Sequence, residues 1–392
     1  MRLSWQTLRQ GAVWELAFRP LFLCAAALAV VAMLVWLAWL DGVWPHGPAR
    51  LSPLLWHVHE MLFGFGFTVA AGFLLTAVQN WTGLRSLNGS TLMVLVGLWL
   101  LMRVLLWLPV SYGFWWLVQG SWWLLVLGCF GRLLWRANSR RNYLLLPVLL
   151  AVAVLNLAYL YQAQHNPALA LHLAKTVLLL FGLVIGVIGG RVIPLFTRNA
   201  VATARVLPTP RTDVWLLVLA ALTAVLHLLE GWVSLPVKSA HLMIVIAHLH
   251  LFRLGHWGGW SCGHNALLWS LHLAYLALAL GLAGLGFSTL LASVYATEAL
   301  HLITVGALGL LILSMMGRVS LGHTGRPLLA SRRLCLALWL LVLATLLRVL
   351  LPVLGLAWWG WNLSALCWSA AFLLFVQVYL PILTAPRWSP LR

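Results

Sequence analysis

The chain has 392 residues, 63% of them hydrophobic and only 8% charged, with a mean hydropathy of +0.99. A soluble domain carries about a quarter charged residues, so this chain cannot clothe a water-facing surface and an ordinary soluble fold is excluded. A net charge of +18 would signal nucleic acid if the cations gathered on one exposed face, and their distribution argues against that.

Cut at polar or Pro/Gly-rich breaks, the apolar runs fall at 19–40, 53–80, 89–108, 112–135, 143–161, 168–189, 212–230, 237–254, 265–285, 288–316, 332–351 and 358–381. Helices of such length cross about 30 Å of hydrocarbon. The expected fold is all-α: a polytopic membrane helical bundle of about twelve spans, with a single integral membrane domain over residues 1–392 and short loops throughout. Span 1 is too long for the apolar core of a secretory signal and no small-residue cleavage site follows it, so no cleaved leader is expected.

The basic residues alternate with these spans. Arg2, Arg9 and Arg19 precede span 1. Arg132, Arg136, Arg140 and Arg141 follow span 4; Arg191, Arg198, Arg205 and Arg211 follow span 6; Arg318, Arg326, Arg332 and Arg333 follow span 10. With Arg85, Arg253, Arg387 and Arg392 these make nineteen on one side, against Arg50, Arg103, Lys238 and Arg348 on the other and Lys175 inside a span. The positive-inside rule then puts both termini in the cytoplasm. The 25 Trp suit an interfacial belt, and the lipid bilayer is the expected partner, with no nucleic acid.

A weak repeat recurs every four spans. Spans 2, 6 and 10 each carry His in their first half and are rich in Gly; spans 6 and 10 then end on Gly190-Arg191-Val192 and Gly317-Arg318-Val319. This predicts three four-helix arcs, with chance similarity between Leu/Gly-rich helices as the alternative. The five Cys (Cys24, Cys129, Cys262, Cys335, Cys367) are scattered without a C-x-x-C and are expected to be buried thiols.

Ionisable groups inside a membrane are costly and tend to face a bundle interior or a cofactor, so the fourteen His carry the most information. His46, His165, His256, His264 and His323 fall in loops. His57, His59, His172, His227, His241 and His301 all fall in the outer half of the membrane, and His248, His250 and His272 in the inner half. His57 and His59 are two residues apart, hence about 200° apart around a helix, and cannot share one compact centre unless the helix is distorted there. His57 with Glu60, and Glu298 with His301, are pairs spaced to share a face; His241 and His248 also share one. Neutral imidazole is the common ligand of haem iron, copper and zinc, and a ligating His usually gives its other N–H to a carboxylate, for which Glu60, Glu230 and Glu298 are the candidates. His57, His59, His172 and His301 are therefore cofactor candidates, and His227, His241 and His248 metal candidates. The alternative is a set of His that bond only between helices. A di-iron carboxylate site has too few membrane carboxylates, with Glu298-x-x-His301 the one pair in the right order.

At these residues the chain resembles the NnrS family of bacterial membrane proteins. The likeness is carried by Phe18-Arg19-Pro20-Leu21-Phe22-Leu23, by the segment WHVHEMLFGFGFTVAAGFLLTAVQNWTG from Trp56 to Gly83, by GGRVIPLFTRNA from Gly189 to Ala200, and by His301 to Leu328; residues 211–285 match less distinctly. The resemblance implies a haem- and copper-containing protein of the bacterial inner membrane, linked to nitric oxide and tolerance of nitrosative stress. The cofactors it implies are haem b and copper, with His57, His59 and His301 on the family's own motifs. In architecture the chain is also similar to the catalytic subunit of haem–copper oxidases and nitric oxide reductases, although span 7 lacks an adjacent His pair and span 10 has one His. The expected function is to bind or detoxify nitric oxide or a similar small gas; if the protein is an enzyme, it is a haem/copper oxidoreductase whose electron donor the sequence does not identify. A transporter for metal, haem or a metal–nitrosyl species, and a non-catalytic assembly or sensing factor, are the alternatives.

Overall fold

The computed structural model describes residues 11–44, 47–48, 50–292 and 295–388; His46 lies outside them. Among the described residues no strand occurs, and twelve apolar helices carry the chain: α1 (Phe18–Leu40), α2 (Pro53–Thr82), α3 (Gly89–Leu105), α4 (Tyr112–Arg136), α5 (Leu145–His165), α6 (Pro167–Ala200), α7 (Pro210–Leu229), α8 (Ser239–Gly255), α9 (Ala266–Leu290), α10 (Ala296–His323), α11 (Arg332–Val353) and α12 (Ala357–Thr384). Ten are long and apolar enough to cross a membrane; α3 and α8 are shorter. At 17 residues each, these two rise about 26 Å, just under the hydrocarbon thickness.

The boundaries follow local chemistry. Ser52 Oγ accepts the amide of Leu55 at 3.4 Å and Pro53 fills the first helical position, which together start α2. Ser331 and Asn265 cap α11 and α9 in the same way. Gly83, at φ +70°, ends α2 in the left-handed conformation that glycine adopts without strain. The run 288–316 is divided differently from expectation: α9 continues to Leu290, and a turn with Ala292 at φ +48° precedes α10. The polar Gly-Gly-Arg at 189–191 does not end α6, which continues past Pro194 to Ala200. His323 is the last residue of α10 rather than a loop residue.

Two helices are not α throughout. Residues Glu60–Gly66 of α2 and Leu302–Gly309 of α10 are π-helical. Such segments carry an extra residue per turn and recur at functional sites. α6, expected to share the pattern of α2 and α10, has no such segment.

The chain forms two compact units. The first gathers the described residues up to Ala174, Arg318–Leu328 and the stretch from Phe372 onward; the second comprises Lys175–Gly317 and Leu329–Ala371. In the first, Arg19 is buried and its Nη1 donates to the carbonyls of Leu383 (3.1 Å) and Ala385 (2.6 Å), while Nη2 pairs with Glu15 at 3.2 Å. The Phe-Arg-Pro motif thus ties α1 to the C-terminal end of α12 through carbonyls that helix geometry leaves unpaired. In the second, Gly186 and Gly190 of α6 lie against His250 and Arg253 of α8, where added Cβ atoms would collide with the side chains. All five thiols are free. Only Cys262 is buried, whereas Cys24, Cys129, Cys335 and Cys367 are half-buried.

Candidate functional site

The first unit holds a buried cluster on the π segment of α2. His59 is the last residue before that segment and Glu60 its first. His59 is 0% exposed and Glu60 1%. The Nδ1 of His59 lies 2.9 Å from Oε1 of Glu60, and Oε2 of Glu60 lies 3.0 Å from Nε of Arg103 near the end of α3. A guanidinium is permanently charged, so it holds Glu60 as the carboxylate, and Nδ1 of His59 must be the donor in this contact. The other ring nitrogen, Nε2, is then the lone-pair position of a neutral imidazole. It is buried with no hydrogen-bond partner among the described residues.

The local sequence builds this arrangement. Neighbours in sequence normally point about 100° apart on a helix; the π segment beginning at Glu60 brings its carboxylate back onto the His59 ring. A Cβ on Gly64 would sit 2.8 Å from Leu28, 2.9 Å from Nη1 of Arg103 and 3.1 Å from Glu60, so the absence of a side chain there leaves room for the guanidinium beside the carboxylate. Trp99 Nε1 donates to the Gly64 carbonyl (3.1 Å) and to Thr68 Oγ1 (2.7 Å), satisfying a backbone group in the π segment. The Arg103 guanidinium lies over the Trp99 ring at 5.0 Å, a cation–π contact. Phe63 and Tyr159 pack their rings against His59 at 5.4 and 6.1 Å, and Tyr159 donates its hydroxyl to the Leu55 carbonyl at 2.6 Å.

The other sequence candidates are placed differently. His57 stacks on Trp36 at 4.4 Å, and Glu60 pairs with His59 and Arg103 rather than with His57. His301 donates Nδ1–H to the Thr297 carbonyl at 2.7 Å, and Glu298 pairs with Arg348 at 3.5 Å instead of with His301. His172 is half-buried on α6. His227 Nδ1 lies 2.8 Å from Thr176 Oγ1. Both oxygens of Glu230 accept from Ser239, from its amide (2.5 Å) and hydroxyl (2.7 Å), at the start of α8. His241 and His248 are exposed and donate to carbonyls of Lys238 (3.1 Å) and Ile244 (2.8 Å). Among the described residues no group of three or more His, Cys, Asp or Glu is gathered as a metal site.

Arg103, Arg253 and Arg348 fall near the C-terminal ends of α3, α8 and α11. Each lies within a helix and pairs with an acid: Arg103 with Glu60, Arg253 with Asp213 at 2.9 Å, and Arg348 with Glu298. Lys175, expected inside a span, is an exposed side chain of α6. Arg253 Nη1 also donates to the Gly186 carbonyl (2.9 Å) and to Tyr275 Oη (3.1 Å), which lies 2.6 Å from Nδ1 of His250. Beside this network His272 Nε2 meets Thr197 Oγ1 at 2.9 Å and Cys262 Sγ at 3.8 Å. Cys262 lies in the turn before α9, and burial pushes its thiol pKa up, partly offset by Thr197. The only signal for these partners was that each sits within a turn or two of a candidate His or faces a glycine, which spacing alone does not reveal.

Buried imidazole, carboxylate and guanidinium in a multi-pass helical bundle define a polytopic membrane protein with a buried polar site. The chain belongs to the NnrS family: the family model described as NnrS protein matches residues 12–387, nearly its whole length. Membership supports a membrane protein related to the nitric oxide response. No curated protein matches the chain.

Proposed function

We propose that the protein is a haem-holding protein of the bacterial inner membrane, with both termini in the cytoplasm, that binds or detoxifies nitric oxide or a similar small gas. The observation that carries this reading is His59: fully buried, with Nδ1 on a carboxylate and Nε2 unpartnered among the described residues. An acceptor left unsatisfied in a buried site costs about 1–3 kcal/mol, and a metal on Nε2 would satisfy it. A carboxylate on the far nitrogen is the usual partner of a ligating His. Haem fits the donor set better than a bare ion. It brings four nitrogens of its own and needs one or two axial His, whereas copper draws on two or three protein donors; copper is the second expected group.

Haem, when bound, supplies an iron that takes a diatomic gas. The chain supplies the rest. His59 would ligate through Nε2. Glu60, by accepting Nδ1–H, fixes the ring's tautomer and makes the imidazole a stronger donor. Arg103 balances the Glu60 charge, which could not stand alone in a low-dielectric interior, and its buried Nη1, without a hydrogen-bond partner among the described residues, suits a haem carboxylate. Phe63 and Tyr159 wall the ring from water.

The test is the absorption spectrum of detergent-purified protein made with haem available, oxidised and reduced, before and after nitric oxide. A stoichiometric haem whose bands shift with the gas, and which His59→Ala loses, is the expected result. Haem-free protein, or a His59→Ala variant with the unaltered spectrum, overturns it.

A further inference from the structure

We infer that α1–α4 and α9–α12 are two copies of one ligand-presenting module, and that His301 is the second module's counterpart of His59: a second metal-ligating imidazole, in preference to His57 and His172. The inference rests on the reading of His59 as a haem ligand.

The register carries the argument. Displacing α2–α3 onto α10–α11 by one constant interval, without insertion or deletion, superposes His59 on His301, Gly64 on Gly306 and Thr82-Gly83 on Thr324-Gly325. Both π segments then begin at the same place, immediately after the His. Both terminal glycines are left-handed, Gly83 at φ +70° and Gly325 at φ +79°. The buried residues of α3 (Leu92, Leu95, Val96, Trp99, Met102) fall on buried residues of α11 (Leu334, Ala337, Leu338, Leu341, Ala344) at every position. Leu/Gly-rich helices resemble one another by chance in composition, but chance does not preserve burial, helix distortion and positive φ in one register.

Contacts between helices repeat as well. A Cβ on Gly64 would meet Arg103 of α3 at 2.9 Å; on Gly306 it would meet Thr345 of α11 at 2.8 Å, and Thr345 is Arg103 displaced by the same interval. α1 and α9 correspond with an interval about two helical turns longer, because the loop before α2 is longer than that before α10. Gly64 then faces Leu28 as Gly306 faces Ala277, and Gly72 faces Leu21 as Ser314 meets Ser270, whose hydroxyl donates to it at 2.8 Å. α4 and α12 correspond through Phe67 on Trp123 (centroids 6.0 Å) and Gly309 against Trp368.

The chemistry is duplicated with one rearrangement. In each module a carboxylate within a turn of the His pairs with an arginine near the end of the following helix: Glu60 with Arg103 at 3.0 Å, Glu298 with Arg348 at 3.5 Å. Each guanidinium lies over a tryptophan, Trp99 at 5.0 Å and Trp361 at 6.0 Å. In the second module the carboxylate precedes the His instead of following it, so the Thr297 carbonyl takes its place as acceptor for Nδ1–H. A carbonyl serves that role for ligating His as a carboxylate does. His57 falls on Ala299 in this register and His172 lies on α6, which has no π segment, so neither has a counterpart.

The experiment uses the full chain, purified with haem, in wild-type form and as His59→Gly, His301→Gly, His57→Phe and His172→Phe. Haem content by alkaline pyridine and the axial-ligand signature by electron paramagnetic resonance are read together, with and without added imidazole. The expected result is loss of haem or of the native ligand signature in both glycine variants, recovered by imidazole, which separates ligation from misfolding, with His57→Phe and His172→Phe unchanged. Native haem and signature in His301→Gly, with loss in His59→Gly, overturn the duplicated-site inference and leave the His59 reading intact. Native haem and signature in both glycine variants, or a wild type without haem, overturn both.

Discussion

Replacing Glu60 with Gln keeps the side chain's shape and removes its charge, leaving the Arg103 guanidinium without its counter-charge at a site where Glu60 is 1% and the Arg103 side chain 13% exposed. At 3.0 Å and an effective dielectric constant of about 20, the lost attraction is about 5–6 kcal/mol before solvation is counted. Breaking one partner of a buried pair costs about 3–5 kcal/mol in practice, and Glu60→Gln is expected to fall in that range. Removing both charges is different in kind, because no charge then remains to be desolvated. Glu60→Gln/Arg103→Gln is therefore expected to recover most of the loss, with a coupling energy of about 2 kcal/mol or more. Thermal and denaturant unfolding of the four proteins of the cycle, in one detergent at one protein concentration, reads both quantities. A cost below about 1 kcal/mol for Glu60→Gln, the level of an exposed pair, would refute the reasoning, as would a double variant no more stable than the single one.

Gly64→Ala is expected to destabilise by about 1–3 kcal/mol through overpacking, since the new Cβ would press on Leu28, Arg103 and Glu60. Gly97→Ala on α3, where no atom lies within 4 Å, is expected to be neutral or to stabilise by up to about 1 kcal/mol through helix propensity; equal melting shifts for the two would show that the close approach at Gly64 does not matter. Cys262 is expected to alkylate slowly at neutral pH. Burial raises its thiol pKa, so its thiolate fraction lies below that of an ordinary Cys at any pH beneath that pKa, and the rate should keep rising at alkalinities where an ordinary thiol has levelled off. Maleimide labelling followed by mass spectrometry across pH checks this, and a Cys262 rate profile matching that of a free thiol contradicts it.

The helices were legible because their signal is summed over many residues. A run of apolar side chains fixes a span whatever its neighbours do, and each run falls on one helix of the structure except 288–316, whose first residues end α9. Boundaries set by single residues were not: Gly189-Gly190 looked like a break but is the face on which Arg253 packs, and the helix continues. The histidines were legible as a group and much less so as individuals. Spacing on an ideal α-helix suggested pairing His57 with Glu60 and Glu298 with His301, whereas the ion pairs of the two carboxylates run to Arg103 and Arg348 on the next helices. Nothing in composition marks a π segment. The sequence does show that glycines recur just after each of these two histidines, at Gly64 and Gly306, and the structure gives the reason: close approach of the next helix.

The arginines carry a more general point. The charge count treated Arg103 and Arg348 as markers of the outer side, and their positions near the ends of α3 and α11 agree with that. Yet neither is there to face solvent or lipid headgroups; each is drawn inward by a carboxylate that the same module supplies. The chain has only six Asp and Glu, and Glu60, Asp213 and Glu298 are all paired with arginines that lie on other helices. Of these three, Glu60 and Glu298 are largely buried, and keeping a buried acid in a span costs free energy, which points to a use for both. Buried ion pairs are poor sources of stability but good at fixing register. In α2 and α10 that register sets the rotation of the helix at the histidine that precedes each π segment. The Glu60–Arg103 pair, a liability in a hydrophobicity plot, is therefore also what holds the His59 ring in position, which is why disrupting it should be felt at any group that His59 ligates as well as in the melting curve.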